Sequence, residues 1–550
     1  MRHLSLVRIL IVAFTFCSLL FYLWMTLPLL NTTSFDDAYI FLRYAKHFLS
    51  GHGFSWNPSE GPAYGISSVL HLLTVTTARG LTNIPDAKVV TTLSFCGGLL
   101  SCLALIILGF LVLSKGEFRR SWLPVIVAPC LLMSNQFWFH SLTGMETTSS
   151  LLFNSLLAIS VVVFCKSRSK LSFAFCLFMA YASYLTRTDN GIYCLLLPPL
   201  FFVATDRHLG RNAVIYTLLF VVIIIIDLFF KKALLGDMLP LPFYAKRAGF
   251  YLGYLGANNW NAYGYMLDFF MECLPYLVVI ACFITKRAVP RLMVIFLPVV
   301  LTFGYYMSVI QIMGFHARYY YPSQAFIVFA AFIAVDCSLK KTPKKEPATQ
   351  STITFRILAV AVLLLLKTNS PIINTAVQLS EKHMIGQTTR FEVQRRYTVQ
   401  TRTNLPNLEW WDSILQMANL LSKLPSDIVV AASEYGYIGS TLPSVEIIDL
   451  MGLNNRYNAK NGFSADYLFS RHPDFIWLPH PDYSYITKEI LDSSIFAYQY
   501  EFYTEAYRYG VAIRKASPYF NNIKTVLERD FSRLYPGREL SEYKAEPVQL

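Results

Sequence analysis

Eleven apolar stretches constrain what this chain can fold into more than any other feature of it. They run approximately over residues 8–30, 86–114, 122–140, 148–165, 171–186, 191–205, 212–230, 266–285, 292–312, 321–338 and 354–370. A helix rises 1.5 Å per residue, so about 17–25 apolar residues cross the hydrocarbon core of a bilayer. Most of the stretches reach that length; 171–186 and 191–205 are short. Backbone polar groups in lipid must be satisfied within their own segment, so the stretches predict helices and the chain reads as a polytopic α-helical membrane protein. A further stretch, 66–81, is short and carries Ser67, Ser68, His71, Thr74, Thr76 and Thr77. It is expected to lie at the outer interface as a re-entrant or amphipathic helix.

Charge supports this count. With eleven spans, the loops 115–120, 166–170, 206–211, 286–291 and 340–347 fall on one side, and every one is rich in Lys and Arg. Short basic loops mark the cytoplasmic side; counting 66–81 as a span would put all five outside. Lys231 and Lys232 are the exception. Arg2 and Arg8 precede a first apolar run longer than the roughly 7–15-residue core of a cleavable signal peptide, with no clear small-residue cleavage site. A retained first helix with a cytoplasmic N-terminus is expected. Segments 31–85, 141–147, 187–190, 231–265, 313–320 and 371–550 then lie outside. Residues 1–370 hold 29 Lys/Arg against 14 Asp/Glu, a surplus of 15, and residues 371–550 hold 18 against 20, a deficit of 2. The net charge of +13 therefore belongs to the membrane part and reads as orientation, not as a nucleic-acid patch. All ten cysteines lie between Cys17 and Cys337 with no CxxC pair, so neither a zinc site nor a disulfide framework is suggested.

Residues 371–550 read as a separate soluble α/β domain. The runs 427–433, 445–450 and 474–478 look like short buried strands, 496–514 alternates as a hairpin would, and 409–424 has helical periodicity.

The candidate chemistry collects in the outside loops. Asp36 and Asp37 follow the first span directly. Two close carboxylates raise one another's proton affinity, which suits general-base work; the alternative is a solvated pair capping a short interfacial helix. Arg43, seven residues on from Asp36, can share its helical face. His52 sits in the turn-rich loop 51–58 and reads more simply as a solvated histidine; the loop continues through Tyr64, a candidate substrate contact. Glu146, then Arg187 and Asp189, then His316 and Arg318 lie in three short loops at membrane depth, where isolated charge is costly and therefore functional or paired. Tyr244, Lys246 and Arg247 bring cations beside aromatics, as a lipid-phosphate site would need; snorkelling cations are the alternative.

The run Asp36-Asp37-Ala38-Tyr39-Ile40-Phe41-Leu42-Arg43-Tyr44-Ala45, followed by Gly51-His52-Gly53-Phe54-Ser55-Trp56-Asn57-Pro58, resembles the GT-C superfamily of polytopic glycosyltransferases. Within it the chain is most similar to the branch of the mycobacterial terminal (beta-1,2) arabinofuranosyltransferase. Gly144-Met145-Glu146-Thr147, Arg187-Thr188-Asp189-Asn190-Gly191, Tyr244-Ala245-Lys246, Arg318-Tyr319 with Pro322, and in the tail Glu434-Tyr435-Gly436-Tyr437-Ile438-Gly439 and Asp449-Leu450-Met451-Gly452-Leu453 extend the likeness in the same order. The chain departs from the branch at 64–71 and at 240–246, the expected donor and acceptor region, so an arabinan acceptor is not implied. The resemblance implies a GT-C fold and a polyprenyl-phosphate-linked sugar, pentose or hexose, passed to a glycan or glycolipid of a bacterial envelope on the periplasmic face of the inner membrane. It implies one inverting displacement with Asp36 or Asp37 as base and Lys246, Arg247 and Arg318 on the departing lipid phosphate. Glu146 and Asp189 would orient sugar hydroxyls or the cations, with Arg43, Tyr64, Arg187, Tyr244, His316 and Glu434 among the substrate contacts. Residues 1–370 would form the catalytic membrane domain and 371–550 the periplasmic one. A divalent cation, Mg or Mn, could sit beside the carboxylates, although no ligand spacing demands one. A glycolipid transporter or flippase, or a non-catalytic glycan-binding scaffold, would carry the same helices with Asp36 and Asp37 dispensable.

Overall fold

The structure, a computed structural model, describes residues 2–113, 123–246, 260–339 except 310 and 312, 397–399, 405 and 408–547. The helices of the membrane part are α1 (Arg2–Thr26), α2 (Asp36–Leu49), α3 (Val69–Leu81), α4 (Asp86–Val112), α5 (Val127–Leu132), α6 (Asn135–Leu142), α7 (Thr147–Ser167), α8 (Lys170–Thr186), α9 (Gly191–Thr205), α10 (Gly210–Leu235), α11 (Leu241–Ala245), α12 (Trp260–Phe283), α13 (Val289–Met307) and α14 (Gln324–Leu339).

Ten of the eleven predicted stretches carry helix; 354–370 lies outside the described residues. Among those residues, seven helices are individually long and apolar enough to cross a membrane. The other three depart from the expectation. The stretch 122–140 is not one rod: α5 and α6 meet at a 69° bend, where the Ser134 side chain accepts from the Phe137 amide and starts a new helix. Helix α8 has 17 residues and α9 has 15, with Pro198 and Pro199 inside it. Helix α3 has 13 residues, about 20 Å of rise, and so is too short to span.

Burial orders the bundle. Of the most apolar 18 residues within Phe315–Ser338, a span that takes in nearly all of α14, 94% are buried, against 22% for those within Arg207–Leu235, which includes α10. Helix α14 is therefore the central post and α10 a peripheral helix whose Ile226, Phe229 and Phe230 face outward, as lipid allows.

The tail builds one seven-stranded sheet from β1 (Tyr397–Val399), β2 (Val429–Ala432), β3 (Glu446–Asp449), β4 (Phe475–Trp477), β5 (Tyr500–Tyr503), β6 (Val511–Arg514) and β7 (Lys544–Pro547), in the order β1-β7-β5-β6-β4-β2-β3. Strands β3, β2 and β4 are parallel, with Val430 opposite Ile447 and Phe475; they are the apolar runs that a sheet covered on both faces requires. The rest is antiparallel, and β5 and β6 form the expected hairpin, with Phe502 opposite Ala512. Helix α15 (Trp410–Leu421) buries Ile414, Met417 and Leu421. Helices α16 (Gly436–Thr441) and α17 (Arg456–Asn461) follow β2 and β3.

Strand β3 is an edge, and the loop after α2 covers it. Asn57 accepts from the Ile447 amide at 3.1 Å and returns a bond to the Ile447 carbonyl at 3.0 Å, and Trp56 Nε1 donates to the same carbonyl at 2.9 Å. An exposed strand edge invites pairing with other chains; here the membrane part supplies the cover. The charged cluster Asp237, Arg456 and Lys460, with contacts of 2.8 and 2.5 Å, closes the other side of the seam.

Candidate active site

At the seam, α2 packs alongside α16, with Asp36 at its start and Arg43 and Lys46 against its later residues. Asp36 opens α2, where the helix dipole favours a carboxylate, yet it caps a different helix. Its Oδ2 accepts from the Gly436 amide and its Oδ1 from the Tyr437 amide, both at 2.7 Å. A Cβ on Gly436 would lie 2.1 Å from the Asp36 carbonyl oxygen, and one on Gly439 would lie 2.9 Å from Arg43 Cδ. Only glycine permits that approach, which accounts for the Gly436 and Gly439 spacing in the tail motif. Burial pushes the Asp36 carboxyl up to about 6, with the Tyr437 and Gly436 amides pulling the other way.

Asp37, one residue on, turns into the opening. Asp36, Asp37, Lys246, Ser433, Glu434 and Tyr435 line one cleft between the membrane part and the tail, with Met313, Met451, Leu453 and Tyr483 completing its wall. Asp37 Oδ2 accepts from Arg318 Nη1 at 3.2 Å. Glu434 comes from the loop after β2 and accepts from Trp410 Nε1 at 3.2 Å. Burial pushes its carboxyl up to about 7; His480 opposes this, while Asp36 and Asp37 add to it.

Behind the cleft the three membrane-depth loops join. Arg318 reaches Glu146 at 3.6 Å, Arg187 reaches the same Glu146 oxygen at 3.2 Å, and Arg187 grips Asp189 through two bonds of 3.1 and 2.7 Å. Tyr306 donates to Asp189 at 2.5 Å. Burial alone would raise the Glu146 and Asp189 carboxyls. The adjacent guanidinium groups, Arg318 and Arg187 for Glu146 and Arg187 for Asp189, win and hold both below their usual range. Tyr319 links this network to the cleft: the Arg187 guanidinium lies 5.3 Å from its ring centre, and its hydroxyl accepts from Lys246 at 3.1 Å.

Three expectations change. Arg43 does not face the cleft. It is fully buried and donates to the carbonyls of Trp56, Gly439, Leu442 and Val445 and to Asn57 Oδ1. All its donors are thereby engaged in holding α2, the loop and the tail together. Tyr64 is buried in a different cluster, where Lys231 pairs with Asp227 at 2.6 Å and lies over the rings of Tyr184 and Tyr64. His316 lies outside the cleft with its ring against Phe139. Tyr244 holds Lys460 over its ring at 5.5 Å, beside Lys246, and Arg247 lies outside the described residues. Tyr306 and Trp410 were missed: Tyr306 has no charged neighbour in the sequence, and Trp410, although it follows Glu409, stands in no motif and points to Glu434, 24 residues away; Tyr319 was visible only as the neighbour of Arg318.

Among the described residues, no group of three His, Cys, Asp or Glu is placed to hold a metal ion. Asp37, Glu146 and Asp189 are instead bonded to arginine. That donor set does not fit a Mg or Mn site, and no step below passes through one.

Residues 396–520 match a domain of unknown function, DUF8728. No curated protein matches the chain. Among solved structures, the chain is similar to ArnT from Cupriavidus metallidurans in the apo state, at 11% identity and a TM-score of 0.49, over 90% of this chain and 97% of that one. It is equally similar to the same protein bound to undecaprenyl phosphate, at 11% and 0.49 over 91% and 98%.

Proposed function

We propose that the chain is a GT-C-type glycosyltransferase of the bacterial inner membrane. It moves a pentose or hexose from a polyprenyl-phosphate donor to an envelope glycan or glycolipid on the periplasmic face. One observation carries the reading: Asp37, Glu434 and Lys246, from three distant parts of the chain, line a single cleft where the membrane helices meet the tail. The motif likeness of the sequence supports the same reading. In this scheme residues 1–370 form the catalytic membrane domain and 371–550 the periplasmic domain.

Asp37 is the base. Asp36 is engaged by two backbone amides, whereas Asp37 makes one 3.2 Å bond to Arg318. The acceptor hydroxyl gives its proton to the Asp37 carboxylate as its oxygen bonds to the anomeric carbon. The bond from that carbon to the phosphate oxygen breaks on the opposite face, inverting the centre and releasing polyprenyl phosphate. Lys246 and Arg318 stabilise the charge that develops on the phosphate. Glu146, bonded to both Arg187 and Arg318, holds Arg318 beside Asp37.

Purified protein in nanodiscs, given a labelled polyprenyl-phosphate sugar and envelope glycolipid, should release polyprenyl phosphate. Asp37→Asn should slow this by about 10²–10⁴-fold, the usual worth of a general base. A wild-type rate in Asp37→Asn removes the assigned base, and donor that crosses the bilayer unconsumed makes the protein a flippase.

A further inference from the structure

The tail carries two adjacent tryptophans at the start of α15, Trp410 and Trp411, flanked by the exposed carboxylates of Glu409 and Asp412. The apolar side of α15 farther along is sunk in the domain, but these two rings are only half-buried. They project to the seam, where they meet Tyr437 of α16 and Tyr39 of α2. The ring centres of Trp411 and Tyr437 are 5.4 Å apart, those of Trp411 and Tyr39 are 6.0 Å apart, and those of Trp410 and Trp411 are 6.0 Å apart.

Both ends of this aromatic group reach the carboxylates of the cleft. The Trp410 indole nitrogen donates to Glu434, and the Tyr437 amide donates to Asp36. If the rings served only to glue the tail to α2, an apolar set would suffice. Here an indole N–H is directed to a carboxylate that lines the cleft, and the rings beside it stay part open.

We propose that Trp410, Trp411 and Tyr437 form a platform that seats a sugar ring of the acceptor next to Asp37 and Glu434. The inference rests on the transferase reading and names where its acceptor binds. A sugar ring has one face of C–H groups and a rim of hydroxyls. The C–H face packs on the negative face of an aromatic ring, while the rim meets carboxylates such as Glu434. The occupant is the acceptor and not the donor. In the transferase scheme the donor's phosphate is held by Lys246 and Arg318 of the membrane part, whereas Trp410, Trp411 and Tyr437 belong to the tail.

Saturation-transfer NMR on the full-length protein in nanodiscs tests the platform. The probes are methyl β-D-glucopyranoside, methyl β-D-galactopyranoside and methyl α-L-arabinofuranoside at millimolar concentration. At least one should receive saturation from aromatic protons, strongest on the hydrogens of one ring face. Trp411→Leu, which keeps apolar bulk, should weaken that binding by roughly 3–10-fold, the worth of one aromatic contact, and Trp411→Phe should retain most of it. No saturation of any probe overturns the platform. So does undiminished binding in both Trp411→Leu and Trp410→Leu with wild-type thermal midpoints. The transferase reading is judged separately, by wild-type consumption of polyprenyl-phosphate sugar. If that fails while glycoside binding depends on Trp411, the site is real and the enzyme is not.

Discussion

At the scale of single residues, Asp36 and Asp37 look interchangeable in sequence and have opposite roles in the structure. One helical step turns Asp36 to the tail amides and Asp37 to the cleft. The pair was legible from its place after the first span. The division of labour was not, because it is set by Gly436 and Tyr437, some 400 residues away. The two asparagine variants should therefore separate. Asp37→Asn should lose turnover with an unchanged thermal midpoint. Asp36→Asn turns one of its two carboxylate acceptors into a donor facing an amide, at a cost of about 1–3 kcal/mol. It should lower the thermal midpoint and speed proteolysis between membrane part and tail. Equal midpoints for the two variants would contradict the capping role of Asp36. Glu434 allows a test with a sign. Its carboxyl is pushed up to about 7 from 4.5, mainly by burial, so between those values the folded state holds a proton that the unfolded state has released. Stability from this group is present below the unfolded value and is lost as pH rises through the folded one. Glu434→Gln should gain midpoint relative to wild type at pH 8 and show little difference at pH 4.5. A gap that widens toward acid would reverse the assignment.

At the scale of elements, periodicity and length located ten of the membrane helices, the parallel strands β2, β3 and β4, the β5–β6 hairpin and α15, because each depends on its own local pattern. Contacts between distant elements left no such trace. The bend at Met133 and Ser134 sits inside an apolar run that hydropathy reads as continuous. The covering of the β3 edge by Trp56 and Asn57 joins loops 390 residues apart. Arg43 shows the limit most clearly. Its spacing from Asp36 suggested a substrate contact, yet its five bonds hold the seam, and an exposed-looking motif residue became the most engaged side chain of α2. Lysine has three donors on one atom and cannot copy that planar fork. Arg43→Lys should thus leave several buried carbonyls unpaired and lower stability by about 3–5 kcal/mol, read as a lower thermal midpoint and release of a tail fragment on mild proteolysis. A variant as stable as wild type would mean that Trp56 and Asn57 hold the seam without Arg43.

At the scale of the whole molecule, the charged loops form one network only if they share a side of the bilayer. Asp37, Arg318, Glu146, Arg187 and Asp189 come from four separate loops or helix ends and lie within successive ion-pair distances of 3.2, 3.6, 3.2 and 2.7 Å. The sequence placed each of these loops outside by alternating spans from the basic loops, and their convergence is what that alternation requires. The lone violation of the rule also resolves in part. Lys231 is neutralised by Asp227 at 2.6 Å, so only Lys232 is left to count against the orientation. Since the tail bonds directly to Asp36, Arg43 and Lys46, it lies on the same side as this network, and the proposed topology puts the basic loops 206–211 and 286–291 on the other. Alkaline phosphatase fused after residue 550 should be active in whole cells, whereas the same enzyme fused after residue 208 should be inactive and a green fluorescent protein there bright. The reverse pattern would put the cleft in the cytoplasm, where the basic loops ought to be, and would require the positive-inside rule to fail at every short loop of this chain at once.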